Sequence, residues 1–261
     1  MFTLKSFVGQ FKKEWVLFQA WLYVGVFLGI LISIVAPYLI ERYGDGFTEE
    51  NQLPFAFTFL VLALGGFYSI LQFLASLRLD LRSKEIWLHS TSSIRQLIGV
   101  KIVFSLTGYT IFNILFTGIA IYTLRAAYIA SLGQVLLLLV IVVAIIAVFQ
   151  LTLFVILLLF LAFYLQMKYF IGRFAIVLLM GAFFASIYLW FRFTESLIYV
   201  KILQHIGISL SWLERYLPKF IVPSMDIKLG TLYVVEELAL SIFLILLFII
   251  ATKWLEKVVL R

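Results

Sequence analysis

The chain of 261 residues is 64% hydrophobic and only 13% charged, with 27 Phe, 13 Tyr and 6 Trp. Soluble domains run at about 45–50% apolar and about 25% charged, so a mean hydropathy of +1.14 excludes soluble enzymes, nucleic-acid modules and disordered scaffolds. The chain reads as a polytopic membrane protein of all-α class. Its net charge of +7 then reflects loops facing anionic lipid rather than a nucleic-acid partner, and zero cysteines exclude disulfides, thiolate metal sites and a Cys nucleophile.

In chain order, residues 4–18 carry Leu4, Val8, Phe11, Trp15 and Phe18 at helical spacing, with Lys5, Lys12 and Lys13 elsewhere around the helix. This predicts an amphipathic interfacial helix before the first span; a plain extension of the first helix is the other reading. The uncharged run 15–40 is far longer than a signal-peptide core, so no cleavable signal is expected. Spans are predicted at about 21–40, 53–77, 102–124, 135–164, 174–191 and 231–252, within one transmembrane domain over 1–261. The 42 residues of 126–167 hold no formal charge. They are read as one long helix after a turn at Ser131-Leu132-Gly133-Gln134, because a hairpin buried in lipid would strand backbone groups.

Counting bases orients the spans. An inside N-terminus puts Lys5, Lys12, Lys13, Arg78, Arg82, Lys84, Arg95, Lys101, Lys168, Arg173, Lys253, Lys257 and Arg261 on the cytoplasmic side, 13 of the 20 Lys and Arg. Both termini are therefore expected in the cytoplasm of a plasma-membrane protein. Residues 192–230 form a long outer insert with Ile198, Ile202, Leu203, Ile206, Leu210, Leu213 and Leu217 at helical spacing. It is expected to be helical and interfacial or re-entrant, either a lid or a plain surface element.

The connection 78–101 carries the densest charge. Short helical pieces flank the hydroxyl run Ser90-Thr91-Ser92-Ser93, and Ser92 or Ser93 is expected to cap the helix entering the third span. Ser83–Ser90 could present Trp87 and Leu88 to a partner, or the loop could simply be solvated.

This connection resembles the first cytoplasmic loop of ABC-2 type transporter permeases. That loop has an acidic residue, a short apolar helix, a Thr-Pro-Ile-Ser-like turn, then Arg and a Gly-x-Lys opening the third span. The matching residues are Glu85, Trp87-Leu88, Ser90-Thr91-Ser92-Ser93, Arg95 and Gly99-Val100-Lys101. This chain lacks a Gly before the loop helix and the proline of the turn. Six spans, an N-terminal amphipathic helix and an insert before the last span extend the likeness over nearly the whole chain.

The resemblance implies a permease driven by a separate ATP-binding subunit that carries the ATP and Mg, with a second permease chain, identical or paralogous, completing the pathway. It implies that Ser83, Lys84, Glu85, Trp87, Leu88, Ser90 and Arg95 couple the permease to the ATPase. The absence of a G-x-x-x-x-G-K-[ST] run agrees that this chain is not the motor. No cofactor, metal or catalytic residue is assigned to it.

Ionisable residues within spans are functional candidates by default, and Glu236 and Glu237 are the only ones in the predicted spans. They either gate or bind a cationic group, or simply favour a helix N-terminus. Asn113 and Gln150, with Thr107, Thr110, Thr117 and Thr152, either bond between helices or line a weakly polar pathway. Glu236-Glu237 invites comparison with intramembrane proteases of the CAAX type, but position 241 is Ser where they have Arg, and His89 and His205 lie outside the spans. Few charges and many aromatics disfavour an ion channel and suit an amphipathic peptide or toxin, with membrane lipids as surroundings. The alternatives are a lipid- or drug-extruding permease and a non-transport sensor or immunity subunit.

Overall fold

A computed structural model describes residues 4–43, 52–82, 93–125, 128–221 and 227–259. It is mostly helical, and among the described residues five helical runs are long and apolar enough to cross a membrane: Lys5–Tyr43, Leu53–Leu81, Ile94–Thr123, Leu132–Thr194 and Val234–Val259. The chain divides into two compact units, Met1–Leu151 with Tyr216–Ile227, and Thr152–Arg215 with Lys228–Arg261.

In the first unit, α1 (Leu4–Ile30) continues through a π-turn (Leu31–Val35) into α2 (Ala36–Tyr43). The turn has a local cause. Pro37 has no N–H to give to the carbonyl of Ser33, and the Ala36 N–H reaches back to Leu31 O instead. The expected break between an interfacial helix at 4–18 and the first span is not present. Neither Gly nor Pro interrupts 10–24, and Phe11, Glu14, Trp15 and Phe18 face other helices, with Glu14 and Phe18 fully buried and Val8 exposed. Packing in the bundle uses the stripe that was expected to lie on the membrane surface.

Two further helices, α3 (Gln52–Arg82) and α4 (Ile94–Thr123), run past the predicted span ends on both sides of residues 83–92. Ser93 caps α4, its Oγ accepting from Gln96 N–H at 3.3 Å. The register among the three is regular. Glu14 and Gly29 on α1 stand beside Lys101 and Phe116 on α4, so these two run parallel. Ser76 and Gly65 on α3 stand beside Lys101 and Phe112, so α3 is antiparallel to α4.

Val61, Tyr109, Phe112 and Phe116 form a buried aromatic core, the last two rings 4.4 Å apart. A methyl group at Gly29 would run into the Phe116 ring, and one at Gly65 into the Phe112 ring. Small residues let the backbones approach where the rings are large.

The uncharged stretch forms α5 (Leu132–Ile171), a single helix as expected, with its N-terminus held by Ser131 and Gln134. Its first part belongs to the first unit and its last part to the second. Gly172, at φ +58°, opens a 3-10 turn (Gly172–Phe174) that leads into α6 (Ala175–Thr194). The six predicted spans thus correspond to five apolar runs, the fourth containing this turn.

The insert departs from the all-α expectation. It contains the short helices α7 (Leu197–Leu203) and α8 (Ser211–Glu214), and two-stranded pairs replace the continuous helix suggested by its spacing. In the first unit β1 (Tyr128–Ile129) pairs antiparallel with β3 (Lys219–Phe220). In the second, β2 (Gly207–Ser209) pairs with β4 (Thr231–Tyr233), immediately before α9 (Val234–Val259). Gly207 is a poor helix residue, and a Cβ there would meet Thr231 Cγ2 at 2.7 Å, so the strand contact itself needs glycine.

Gly29→Ala should lower the stability of the detergent-solubilised chain by about 1–3 kcal/mol through overpacking. Adding Phe116→Leu should recover part of the loss in thermal unfolding followed by tryptophan fluorescence. An undiminished Gly29→Ala midpoint contradicts the close approach.

Candidate functional site

Lys101, expected among the cytoplasmic bases and at the end of Gly99-Val100-Lys101, is 2% exposed. Its Nζ donates to Glu14 Oε1 at 2.6 Å, Ser76 Oγ at 2.6 Å and Ser76 O at 3.2 Å, and pairs with Asp80 Oδ2 at 2.9 Å. Ser76 Oγ donates in turn to Glu14 Oε2 at 2.7 Å. Glu14, Ser76 and Asp80 are all buried. Half-exposed Lys13 completes the set, 3.4 Å from Asp80 Oδ1.

The charges balance. Glu14 and Asp80 contribute two negative charges, and Lys101 and Lys13 two positive ones. An ammonium has three N–H donors, and here it faces four acceptors, so all its donor capacity is used. Taking an isolated charge out of water costs several kcal/mol, and this cluster avoids that cost by complete pairing.

Sequence placement explains the assembly. Glu14 lies on the buried stripe of α1 between Phe11 and Trp15, both of which meet Phe104 edge-on, at 5.6 and 6.3 Å. Ser76 and Asp80 are one turn apart on α3. Lys101 ends the Gly99-Val100-Lys101 motif on α4. The cluster therefore joins α1 to both helices that flank residues 83–92.

Of the predicted coupling residues, Ser83, Lys84, Glu85, Trp87, Leu88 and Ser90 lie outside the described residues, as does His89. Arg95 is exposed on the first turn of α4.

The intramembrane polar candidates have different surroundings. Gln150 on α5 is buried, and its amide donates to Ser69 Oγ at 3.2 Å and Gly66 O at 3.4 Å, tying α5 to α3. Asn113 is wholly buried beside Tyr109, one turn back, whose hydroxyl donates to Leu62 O. Among the described residues, the buried hydroxyls of Ser105 and Thr117 have no hydrogen-bond partner. Lys101, Ser105, Asn113 and Thr117 recur at multiples of four along α4, forming a polar seam on its buried face. Nearby, a cavity of about 20 Å³ lined by Tyr68, Ser69, Gln72, Gly108 and Tyr109 has room for a single water.

In the second unit, Glu236 and Glu237 diverge as adjacent helical residues must. Glu237 is exposed. Glu236 is half-buried and accepts from the Tyr199 hydroxyl and, at 3.5 Å, from Gln204 Nε2. Burial, then the hydrogen bond to Glu236 and the charges of Glu236 and Glu237, push the Tyr199 hydroxyl up to about 12. Glu236 thus anchors the insert helix α7 to the start of α9. Among the described residues, no group of three or more His, Asp or Glu side chains is placed to hold a metal ion.

No protein-family model, curated protein or solved structure matches this chain.

Lys101→Met should destabilise the fold by about 3–5 kcal/mol, because it leaves an uncompensated negative charge buried. The pair Glu14→Gln with Lys101→Met restores neutrality through Asp80 and Lys13, and should unfold at a higher temperature than Lys101→Met alone. Equal midpoints would show that the cluster does not act as a charge-balanced unit.

The raised Tyr199 value has a defined sign. Its neutral form is favoured in the fold, so this contribution to stability is full below the ordinary tyrosine range near 10 and is lost as pH rises towards 12. In a spectrophotometric titration, Tyr199→Phe should remove tyrosinate absorbance that develops near pH 12. Loss of signal near pH 10 would contradict the Glu236 contact.

Proposed function

We propose that this chain is the permease subunit of an ATP-driven ABC-2 type exporter that moves a hydrophobic or amphipathic substrate, a peptide or toxin, out of the cell. Hydrolysis occurs on a separate ATP-binding subunit that docks on Ser83–Ser90 within the 78–101 loop, and a second permease chain completes the pathway. This chain carries no catalytic role.

The observation that carries the reading is the cluster of Glu14, Ser76, Asp80 and Lys101. A coupling loop has to transmit displacement to the helices on either side of it, and elements that move as bodies do this when they are fastened together. Lys101 fastens α3, α4 and α1 at the level where the 83–92 segment leaves and re-enters the helices. Buried ionic groups at such a place are unusual enough in a membrane protein to mark function.

The same reading includes six crossings with both termini in the cytoplasm. The run Leu132–Thr194 is 63 residues long, enough for two crossings at about 20 residues each, and Gly172 supplies the break between them. The excess of bases on the N-terminal side supports the orientation.

Affinity purification of the full chain from its native membrane in gentle detergent should retain a near-stoichiometric ATP-binding subunit, read by mass spectrometry. Trp87→Glu with Leu88→Glu should leave the amount of inserted chain unchanged and abolish that retention. An intact complex in the double variant sinks the docking assignment. Wild-type chain held only to proteins without an ATP-binding domain sinks the exporter reading and favours a sensor or immunity subunit.

A further inference from the structure

The second unit carries a groove of about 420 Å³ lined by Gln166, Ile250, Lys253, Trp254, Lys257 and Val258. Its wall is built. The Trp254 indole N–H donates to Gln166 Oε1, and the Phe163 ring meets Trp254 edge-on at 6.1 Å, so the end of α5 and the end of α9 are joined. Lys253 and Lys257 stand four residues apart, on one face of α9, and both are exposed. Among the described residues neither has a carboxylate within ion-pair distance.

The depth of the groove follows from α9 itself. Lys253 is the first charge after Glu237 on this helix, and everything between them is uncharged. The two charged ends therefore bracket the apolar stretch, and the groove opens where the helix meets the headgroup layer. Its composition matches that depth: two free ammonium groups, a tryptophan, a carboxamide whose NH2 remains a donor, and apolar Ile250 and Val258. Lys168 and Arg173 follow Gln166 along the chain and add to the positive charge at this end of α5.

We propose that this groove holds the headgroup of an anionic phospholipid, its phosphate set against Lys253 and Lys257 and its glycerol and first acyl carbons against Ile250, Trp254 and Val258. The assignment is independent of the transport reading. Charge complementarity supplies the anion, and the apolar lining favours a lipid over free phosphate, which has no apolar part to cover Ile250 and Val258. By tying a lipid to the ends of both α5 and α9, the groove would fix the height of this unit in the bilayer.

The test uses the full chain in detergent, titrated with phosphatidylglycerol or phosphatidylcholine and read by native mass spectrometry. Wild type should retain phosphatidylglycerol roughly thirty-fold better than phosphatidylcholine, the factor that two lysines near an anionic headgroup supply. Lys253→Gln with Lys257→Gln should reduce retention to the phosphatidylcholine level, and Lys253→Arg with Lys257→Arg should keep it. Lys201→Gln with Lys228→Gln, which removes the same charge elsewhere, should leave it unchanged. Unaltered retention in the Lys253/Lys257 glutamine variant overturns the site. Equal loss in the Lys201/Lys228 variant assigns the effect to net charge and also overturns it. Displacement of the lipid by millimolar inorganic phosphate shows a free-anion site and overturns the lipid assignment.

Discussion

A lysine ammonium buried among two carboxylates and a serine sets the terms for the first unit of this protein. At 2% exposure the donors of Lys101 have no water to satisfy them, and Glu14, Ser76 and Asp80 supply the acceptors from two other helices. That requirement fixes the height of α1 against α4 and of α3 against α4 at one level. The same register then carries Gly29 to Phe116 and Gly65 to Phe112 further along the helices. Apolar packing is weakly directional in lipid, because the tails solvate Leu and Phe about as well as a neighbouring helix does. An ionic contact tolerates no slip of a turn, so the polar cluster specifies a register that the aromatic core then fills.

Much of the helical layout was legible in the sequence, because it follows from the length of uncharged runs. The single helix Leu132–Ile171 is the clearest case: a stretch with neither Gly nor Pro between Val135 and Tyr164 has no cheap way to turn within lipid. The Ser93 cap was legible for a similarly local reason. The strands were not. Their partners lie far along the chain, Tyr128 opposite Phe220 and Ile208 opposite Leu232, and each segment is too short to show a period of two. Gly207 was the one local sign that the helical spacing of the insert would fail.

The candidate site is invisible to a count of bases along the chain. Counting Lys and Arg by loop treats every base as solvated, so Lys101, although it closes the Gly99-Val100-Lys101 motif, carried no sign there that it would be buried. One signal was present. Glu14 falls within the apolar stripe Phe11, Trp15 and Phe18, and a carboxylate on a buried face requires a partner. Its identity could not be read from one sequence, since Glu14 and Lys101 are 87 positions apart. The polar residues that did attract attention have different fates. Gln150 is satisfied by α3 and Glu236 by Tyr199 and Gln204, both as structural ties, whereas Asn113 is wholly buried on the seam that begins at Lys101.

On the proposed function, this arrangement bears directly on how force would pass through the chain. A push on residues 83–92 arrives at the end of α3 and the start of α4. If those helices were held only by apolar contacts, either could slide or tilt alone at small cost, and the displacement would dissipate locally. With Lys101 bonded to Ser76 and Asp80 on one helix and to Glu14 on another, separating any one of them exposes an unpaired buried charge, a penalty of several kcal/mol. Joint movement leaves the cluster intact and costs nothing of that kind. The cheapest response to a push is therefore a rigid displacement of α1, α3 and α4 together. The N-terminal helix, which the sequence suggested would rest on the membrane surface, becomes a third arm of the same lever.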